Sequence, residues 1–193
     1  MTAGSGILHQ EMPQPSERML GFQLWLNLPS GEKMAPPTYL SITKEMIPVL
    51  QQDGAEVRVL AGSFKEAAGV VPPHIKASIY DIALSAGGKI QLETAPEETA
   101  FVFLIEGDAA VCGQTVATKT AVLFGGRAAG VVPPHIKASI SLAALPGQDA
   151  RIIFFSAPPL GEGIAWGGPI VMNTQEELQH AFTELRMGTF IKH

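Results

Sequence analysis

Apolar and polar residues alternate along much of this chain, and the alternation predicts its elements. From Leu20 to Asn27, Leu20, Phe22, Leu24 and Leu26 share one face of an extended segment while Gln23, Trp25 and Asn27 share the other, the period of a strand with one buried side. Short segments of strand character recur from Glu56 onward: Glu56 to Ala61, Ser78 to Ser85, Lys89 to Glu93, Ala100 to Glu106, Ala109 to Cys112, Gln114 to Thr118, Ala121 to Phe124, Ile140 to Ala143 and Arg151 to Ser156. Ile152, Ile153, Phe154 and Phe155 are apolar without alternation, which predicts a strand buried on both faces. Ser85-Ala86-Gly87-Gly88 and Glu106-Gly107-Asp108 supply turns. Many short, evenly spaced strands predict an all-β, antiparallel β-barrel or sandwich. It should close with one C-terminal helix over 174–187. Thr174 and Glu177 fit a capping box, Leu178, Phe182 and Leu185 recur at helical spacing, and Gly188 is placed to end the helix. Pro29 to Pro48, punctuated by Pro36-Pro37, reads as a connection, ending in a short helical or turn segment at Thr43 to Gln52.

One pattern is out of place. Ala67 to Ile79 reads AAGVVPPHIKASI, and Ala128 to Ile140 repeats the same thirteen residues. Two barrel repeats that had diverged would share a pattern and not every letter, so one copy is a recent duplicate. The first copy runs smoothly into Tyr80-Asp81-Ile82-Ala83-Leu84, whereas the second interrupts Ala121-Val122-Leu123-Phe124-Gly125-Gly126. Residues 127–139 therefore read as the insertion, and a surface loop is its expected form because loops tolerate added length. His74 and His135 are paired only through the copying. Pro-Pro-His loops are ordinarily exposed, which weighs against these two as replacement metal ligands.

Composition narrows the function classes. A hydrophobic fraction of 46% over 193 residues is that of a globular chain with a core, and 20 glycines with 15 prolines suit a protein of many turns. A net charge of −5 provides no basic footprint for nucleic-acid phosphates. The longest apolar runs are too short to span a bilayer, and no signal-peptide core is present at the N-terminus. The single cysteine, Cys112, cannot form an internal disulfide, which fits a reducing, cytoplasmic setting. It reads as a small half-buried residue beside a Gly113 turn, with no basic neighbour in sequence to make it a nucleophile.

The candidate chemistry lies near the start. If Ile7 to Glu11 is extended, His9 and Glu11, two residues apart, point the same way. Histidine with a carboxylate suits iron, manganese or zinc; the alternative is a polar strand end at the surface. His180 lies off the apolar stripe of its helix and reads as solvated.

Taken together, GSGILHQEMP (residues 4–13), GFQLWLNLP (21–29), KMAPPTY (33–39) and AWGGPIVMNTQEELQHAFTELRMGTF (165–190) resemble the pirin family of the cupin superfamily. The resemblance implies two tandem cupin barrels, with one metal, usually Fe(2+), held in the N-terminal barrel by three histidines and a glutamate. His9 and Glu11 match the last histidine and the glutamate of that set. The other two histidines belong to a His-Pro-His segment that this sequence does not contain, so the ligand set is incomplete and weak or no iron binding by the isolated chain is expected. No catalytic acid or base is assigned. The activity implied for bacterial relatives is oxidative ring opening of the flavonol quercetin, expected here to be absent or impaired.

The resemblance also sets the expected organisation. Residues 1–28 would be remnant strands of the N-terminal cupin domain, 29–52 the interdomain linker, and 53–193 the C-terminal cupin domain with the inserted repeat and the helix. The chain would then be a family member lacking most of its first domain. Three functions follow. The first is an iron-dependent dioxygenase that takes a flavonol once its site is completed. The second is a non-catalytic binding module, with a protein partner or self-association through the orphan strand Leu20 to Asn27, as human pirin-type coregulators act through protein partners. The third is a gene fragment without activity.

Overall fold

A computed structural model of the chain describes residues 1–124 and 138–192. The chain divides into two compact units, residues 42–159 and residues 1–41 with 160–193.

Among the described residues, the larger unit has twelve strands: β1 (Val49–Gln52), β2 (Ala55–Ala61), β3 (Ser63–Phe64), β4 (Ala67–Ala68), β5 (Ser78–Leu84), β6 (Lys89–Thr94), β7 (Thr99–Glu106), β8 (Ala109–Val111), β9 (Gln114–Val116), β10 (Ala121–Phe124), β11 (Ala138–Ala144) and β12 (Ala150–Ala157). They form an antiparallel six-stranded sheet in the order β1-β2-β5-β12-β7-β10 and a four-stranded sheet in the order β6-β11-β8-β9, with β3 and β4 as a separate ribbon. The two sheets share one core, which follows directly from the alternation. In β2, Ala55, Val57, Val59 and Ala61 are buried; in β6, Ile90, Leu92 and Thr94 are buried between exposed Lys89, Gln91 and Glu93. Burying a Leu, Ile or Phe side chain contributes about 1.5–3 kcal/mol, and the inward-facing residues of both sheets meet in a single cluster. Central strand β12 is buried on both faces, as its apolar run requires: Ile152 and Phe154 are fully enclosed, and Ile153 and Phe155 nearly so. Phe64 meets Tyr80 at a tilt of 58° with ring centroids 5.6 Å apart, Tyr80 stacks on Phe154 at 5.2 Å, and the Tyr80 hydroxyl donates to the Ser63 carbonyl.

Asp81 ties the large sheet together. Arg151 of β12 donates to it through Nε and Nη2 at 2.9 and 2.7 Å, and Arg58 of β2 donates at 3.4 Å while also pairing with Glu56. One carboxylate on β5 thus bridges both neighbouring strands.

In the smaller unit, β13 (Ala165–Gly167) and β14 (Ile170–Met172) form a hairpin, followed by helix α1 (Gln175–Met187). Thr174 caps α1 through the Glu177 N–H, and the Glu177 carboxylate reaches back to the Thr174 N–H, the reciprocal box the sequence specifies. Leu178 and Ala181 pack with Ala165 and Ile170, joined by Met172, Phe182 and Phe190. Residues 1–41 associate with this hairpin and helix through specific bonds. Glu162 accepts from the Ser30 N–H at 2.7 Å, from the Ser30 hydroxyl at 3.0 Å and from the Asn173 amide at 3.1 Å. These bonds join residues 30 and 162, far apart in sequence, within one compact unit.

Three expectations change. Leu20 to Asn27 is not a strand: it pairs with no ladder among the described residues, and Trp25 is exposed. Alternation favours an extended segment but cannot supply a neighbour for its backbone. Thr43 to Gln52 is a single 3-10 turn at Lys44–Met46 followed by strand β1, which pairs with β2 from Val49↔Arg58 to Gln52↔Ala55. The segment 127–139, expected from the sequence to be an inserted repeat, lies mostly outside the described residues, and so does His135. Its last two residues, however, are strand and not loop: Ala138 and Ser139 open β11 opposite Thr94 and Glu93.

Candidate metal centre

The segment bearing His9 and Glu11 is anchored by the residues just before it. Ser5 donates its N–H to the Ala35 carbonyl at 2.9 Å, and the Gly6 N–H closes a turn onto Ala3. Gly4 and Gly6 sit at φ +51 and +125; a Cβ at Gly4 would lie 1.9 Å from the Ala35 carbonyl oxygen, and one at Gly6 would lie 2.6 Å from the Phe190 ring. Only glycine satisfies both the backbone angle and the close approach. Past this anchor the chain runs without regular structure, and His9 Nδ1 comes within 4.0 Å of Glu11 Oε1. The structure therefore brings together the two residues that the sequence singles out.

Their surroundings decide what they can do. The side chains are 43% and 70% exposed, and Glu11 is the only polar partner of His9 among the described residues. Donors on one metal lie about 3 Å apart when adjacent and about 4 Å apart when opposite, given bonds of about 2.1 Å. The pair could thus supply two donors after a small rotation. Among the described residues, no hydrogen bond fixes the His9 ring or its tautomer, which is the task of outer-sphere hydrogen bonds in a metal site. Among the described residues, no group of three His, Cys, Asp or Glu side chains could hold a metal ion. His74 is half-buried in the larger unit, and His180 is exposed and pairs with Glu184 one turn along α1 at 3.3 Å. His9 and Glu11 by themselves do not fit an iron site, and no reaction step can be derived through one.

Among the described residues, the barrel of the larger unit holds no cluster of metal-ligating side chains either. Its interior is lined by Tyr80, Ile82, Leu92, Leu104, Leu142 and Phe154 and their apolar neighbours. Thr94 is the buried polar exception there, donating to Glu98 at 2.6 Å. Some of these side chains, Phe64, Tyr80, Ile90, Thr94 and Leu142, also line an open trough of about 1100 Å3.

Two polar features of the smaller unit were not visible in the sequence. Glu162 is held below the usual carboxylate range, first by the Ser30 N–H, then by the Ser30 hydroxyl, with the Asn173 amide and the Lys33 charge adding to it. Lys33 is buried and donates to Asn27. Burial lowers its pKa, opposed by the charges of Glu162 and Glu177. Lys33 belongs to the KMAPPTY block, so part of that signature is structural. No local spacing could announce a contact between residues 30 and 162.

An antiparallel barrel of two sheets with a packed apolar interior and a trailing helix defines a cupin-type domain. Residues 79–191 match the family model described as the pirin C-terminal cupin domain. Over its whole length the chain is 32% identical to a Thermoplasma acidophilum protein provisionally named a quercetin 2,3-dioxygenase, covering 78% of that protein. It is 35% identical to human pirin over 199 residues, covering 62% of it. Among solved structures, a quercetin 2,3-dioxygenase from Acinetobacter baumannii superimposes with a TM-score of 0.74 at 30% identity, over 86% of this chain and 55% of that one. The chain thus spans about half the length of that solved relative. This chain belongs to the pirin family.

Proposed function

We propose that this polypeptide is a pirin-type cupin protein whose iron site takes His9 and Glu11 from residues 1–193 and needs further donors to close. On its own it holds Fe(2+) weakly and consumes little or no flavonol. The observation that carries this reading is the exposed pair at 4.0 Å with no third donor grouped around it among the described residues. The names of the Thermoplasma and Acinetobacter relatives support quercetin as the substrate class. When bound, iron would supply the oxygen chemistry; His9 and Glu11 would contribute binding and orientation. Cys112 is the only cysteine, which supports a reducing, cytoplasmic setting, and no helix among the described residues is long and apolar enough to cross a membrane.

The test is elemental analysis of the purified 193-residue chain, followed by addition of a separate pirin N-terminal half with ferrous iron. We expect substoichiometric iron in the chain alone, quercetin consumption only with both halves, and its loss in His9→Ala. Stoichiometric iron in the chain alone overturns the reading. A second reading, a non-catalytic module that binds a protein partner, draws on the apolar core of the barrel and on exposed Leu20, Phe22 and Trp25. It predicts no consumption under any reconstitution.

A further inference from the structure

The open trough of the larger unit, about 1100 Å3, is bordered by β6 and by the segment around β3. One end is closed: the Lys89 N–H donates to the Asp53 carbonyl at 3.2 Å, and a Cβ on Gly54 would lie 3.0 Å from Gly88. Lys65 belongs to this end with Lys89, because its ammonium donates to the side chain of Gln52, the residue before Asp53. The far end lies five residues along β6, at Thr94, about 17 Å away by the rise of a strand. There Thr94 donates to Glu98 at 2.6 Å, and the Tyr80 hydroxyl donates to the Ser63 carbonyl. Burial raises the Tyr80 pKa, a hydrogen bond with the Ser78 side chain opposes the rise, and the Glu98 charge adds to it. Tyr80 and Glu98 are therefore neighbours at this end. Gln91 and Ser141, paired across β6 and β11, lie between the two ends.

The order of charge along the trough selects its ligand. A dicarboxylate would set one of its groups against Glu98, and a diamine would set one against the two lysines, whereas a molecule with a carboxylate at one end and an ammonium at the other is attracted at both. Lysine and glutamate side chains reach inward from the two ends, which brings the ligand's charges to about 10 Å apart, the length of three residues of extended peptide. Between the ends, the Gln91 amide and the Ser141 hydroxyl offer donors and acceptors to amide groups and would be wasted on a plain hydrocarbon spacer. The Asp53–Lys89 bond, Ser63 and Lys65 are walls, so the occupant is a short free molecule held by its ends and not a strand added to the sheet. We propose that this trough binds a short peptide with free termini, about three residues long, its C-terminal carboxylate between Lys65 and Lys89 and its N-terminal ammonium at Glu98. The proposal concerns the larger unit alone and is independent of the metal reading.

The test is isothermal titration calorimetry of the full chain with trialanine, N-acetyltrialanine, trialanine amide and ω-aminooctanoate, the last keeping both charged ends without internal amides. Trialanine should bind with a Kd below about 1 mM, and each of the other three at least about tenfold more weakly. Glu98→Gln, which keeps an acceptor for Thr94, should weaken trialanine about tenfold and leave the acetylated peptide unchanged. The double variant K65Q/K89Q should weaken trialanine about tenfold and leave the amide unchanged, since each substitution removes the partner of a group that the blocked peptide already lacks. Far-UV circular dichroism confirms that these changes leave the fold intact. No heat from trialanine up to about 10 mM overturns the proposal. Blocked peptides that bind as tightly as trialanine, or substitutions that weaken blocked and free peptides alike, overturn it equally. Binding of ω-aminooctanoate as tight as that of trialanine overturns the peptide occupant and assigns the trough to a free amino acid with distant ends.

Discussion

Replacing Asp81 by Asn tests whether one carboxylate holds the centre of the large sheet. Asp81 is 6% exposed and takes a two-point bond from Arg151 and a longer one from Arg58. Its hydrogen bonds raise the Arg151 pKa above its ordinary value. A hydrogen bond to a charged group contributes about 1.5–3 kcal/mol, and removing one member of a buried pair costs about 3–5 kcal/mol. Here the two arginine side chains are 34% and 36% exposed, so the freed guanidinium groups rehydrate and the loss is smaller. We expect Asp81→Asn to destabilise the chain by about 2–3 kcal/mol, read as a lower midpoint at unchanged slope in urea unfolding followed by far-UV circular dichroism. The shape of the side chain is kept, so packing loss cannot account for it. Arg151→Met alone, and combined with Asp81→Asn, completes a cycle in which the coupling should be about 1–2 kcal/mol. A loss below about 0.5 kcal/mol in Asp81→Asn, or additive single effects, would refute the bridging role.

Other consequences concern the smaller unit and the core. Because the Glu162 pKa is depressed in the folded state, its contribution is present above the unfolded value near 4.5 and disappears as pH falls below it. Glu162→Gln should therefore lower the melting temperature at neutral pH, change it least at strongly acid pH, and so flatten the fall between the two. Gly6→Ala forces a Cβ onto the Phe190 ring at φ +125 and should cost about 1–3 kcal/mol. The loss should be visible in tryptophan fluorescence, since Trp25 and Trp166 both lie in the smaller unit, 6.5 Å apart. Phe154→Ala empties the middle of the barrel core and should cost about 3–5 kcal/mol in urea unfolding.

What the sequence determines by itself is the set of barrel strands, the helix and the pair of candidate donors. Alternation marks the strands because a half-buried strand must show apolar residues at every second position. The capping box and Gly188 mark the ends of α1 for equally local reasons. His9 and Glu11 come close because they are two residues apart. Contacts between distant segments are another matter: Ser30 with Glu162, or Arg58 and Arg151 with Asp81, leave no trace in any window of sequence. Leu20 to Asn27 alternates as well as β2 does, yet it forms no strand, because the ladder depends on a neighbour and not on the segment.

The duplicated segment makes the division plain. Ala77-Ser78-Ile79 and Ala138-Ser139-Ile140 are the same letters, each leading into a strand. In the first copy Ala77 is buried and Ile79 only half so, with the core side beginning at Tyr80; in the second Ala138 is exposed and Ile140 is core. The inward face is shifted by one residue between identical sequences, because β5 is registered by β2 and β12 whereas β11 is registered by β6 and β8. Side chains on a strand alternate with a period of two, so a shift of one position reverses which of them meet the core, and only the partner strands decide that position.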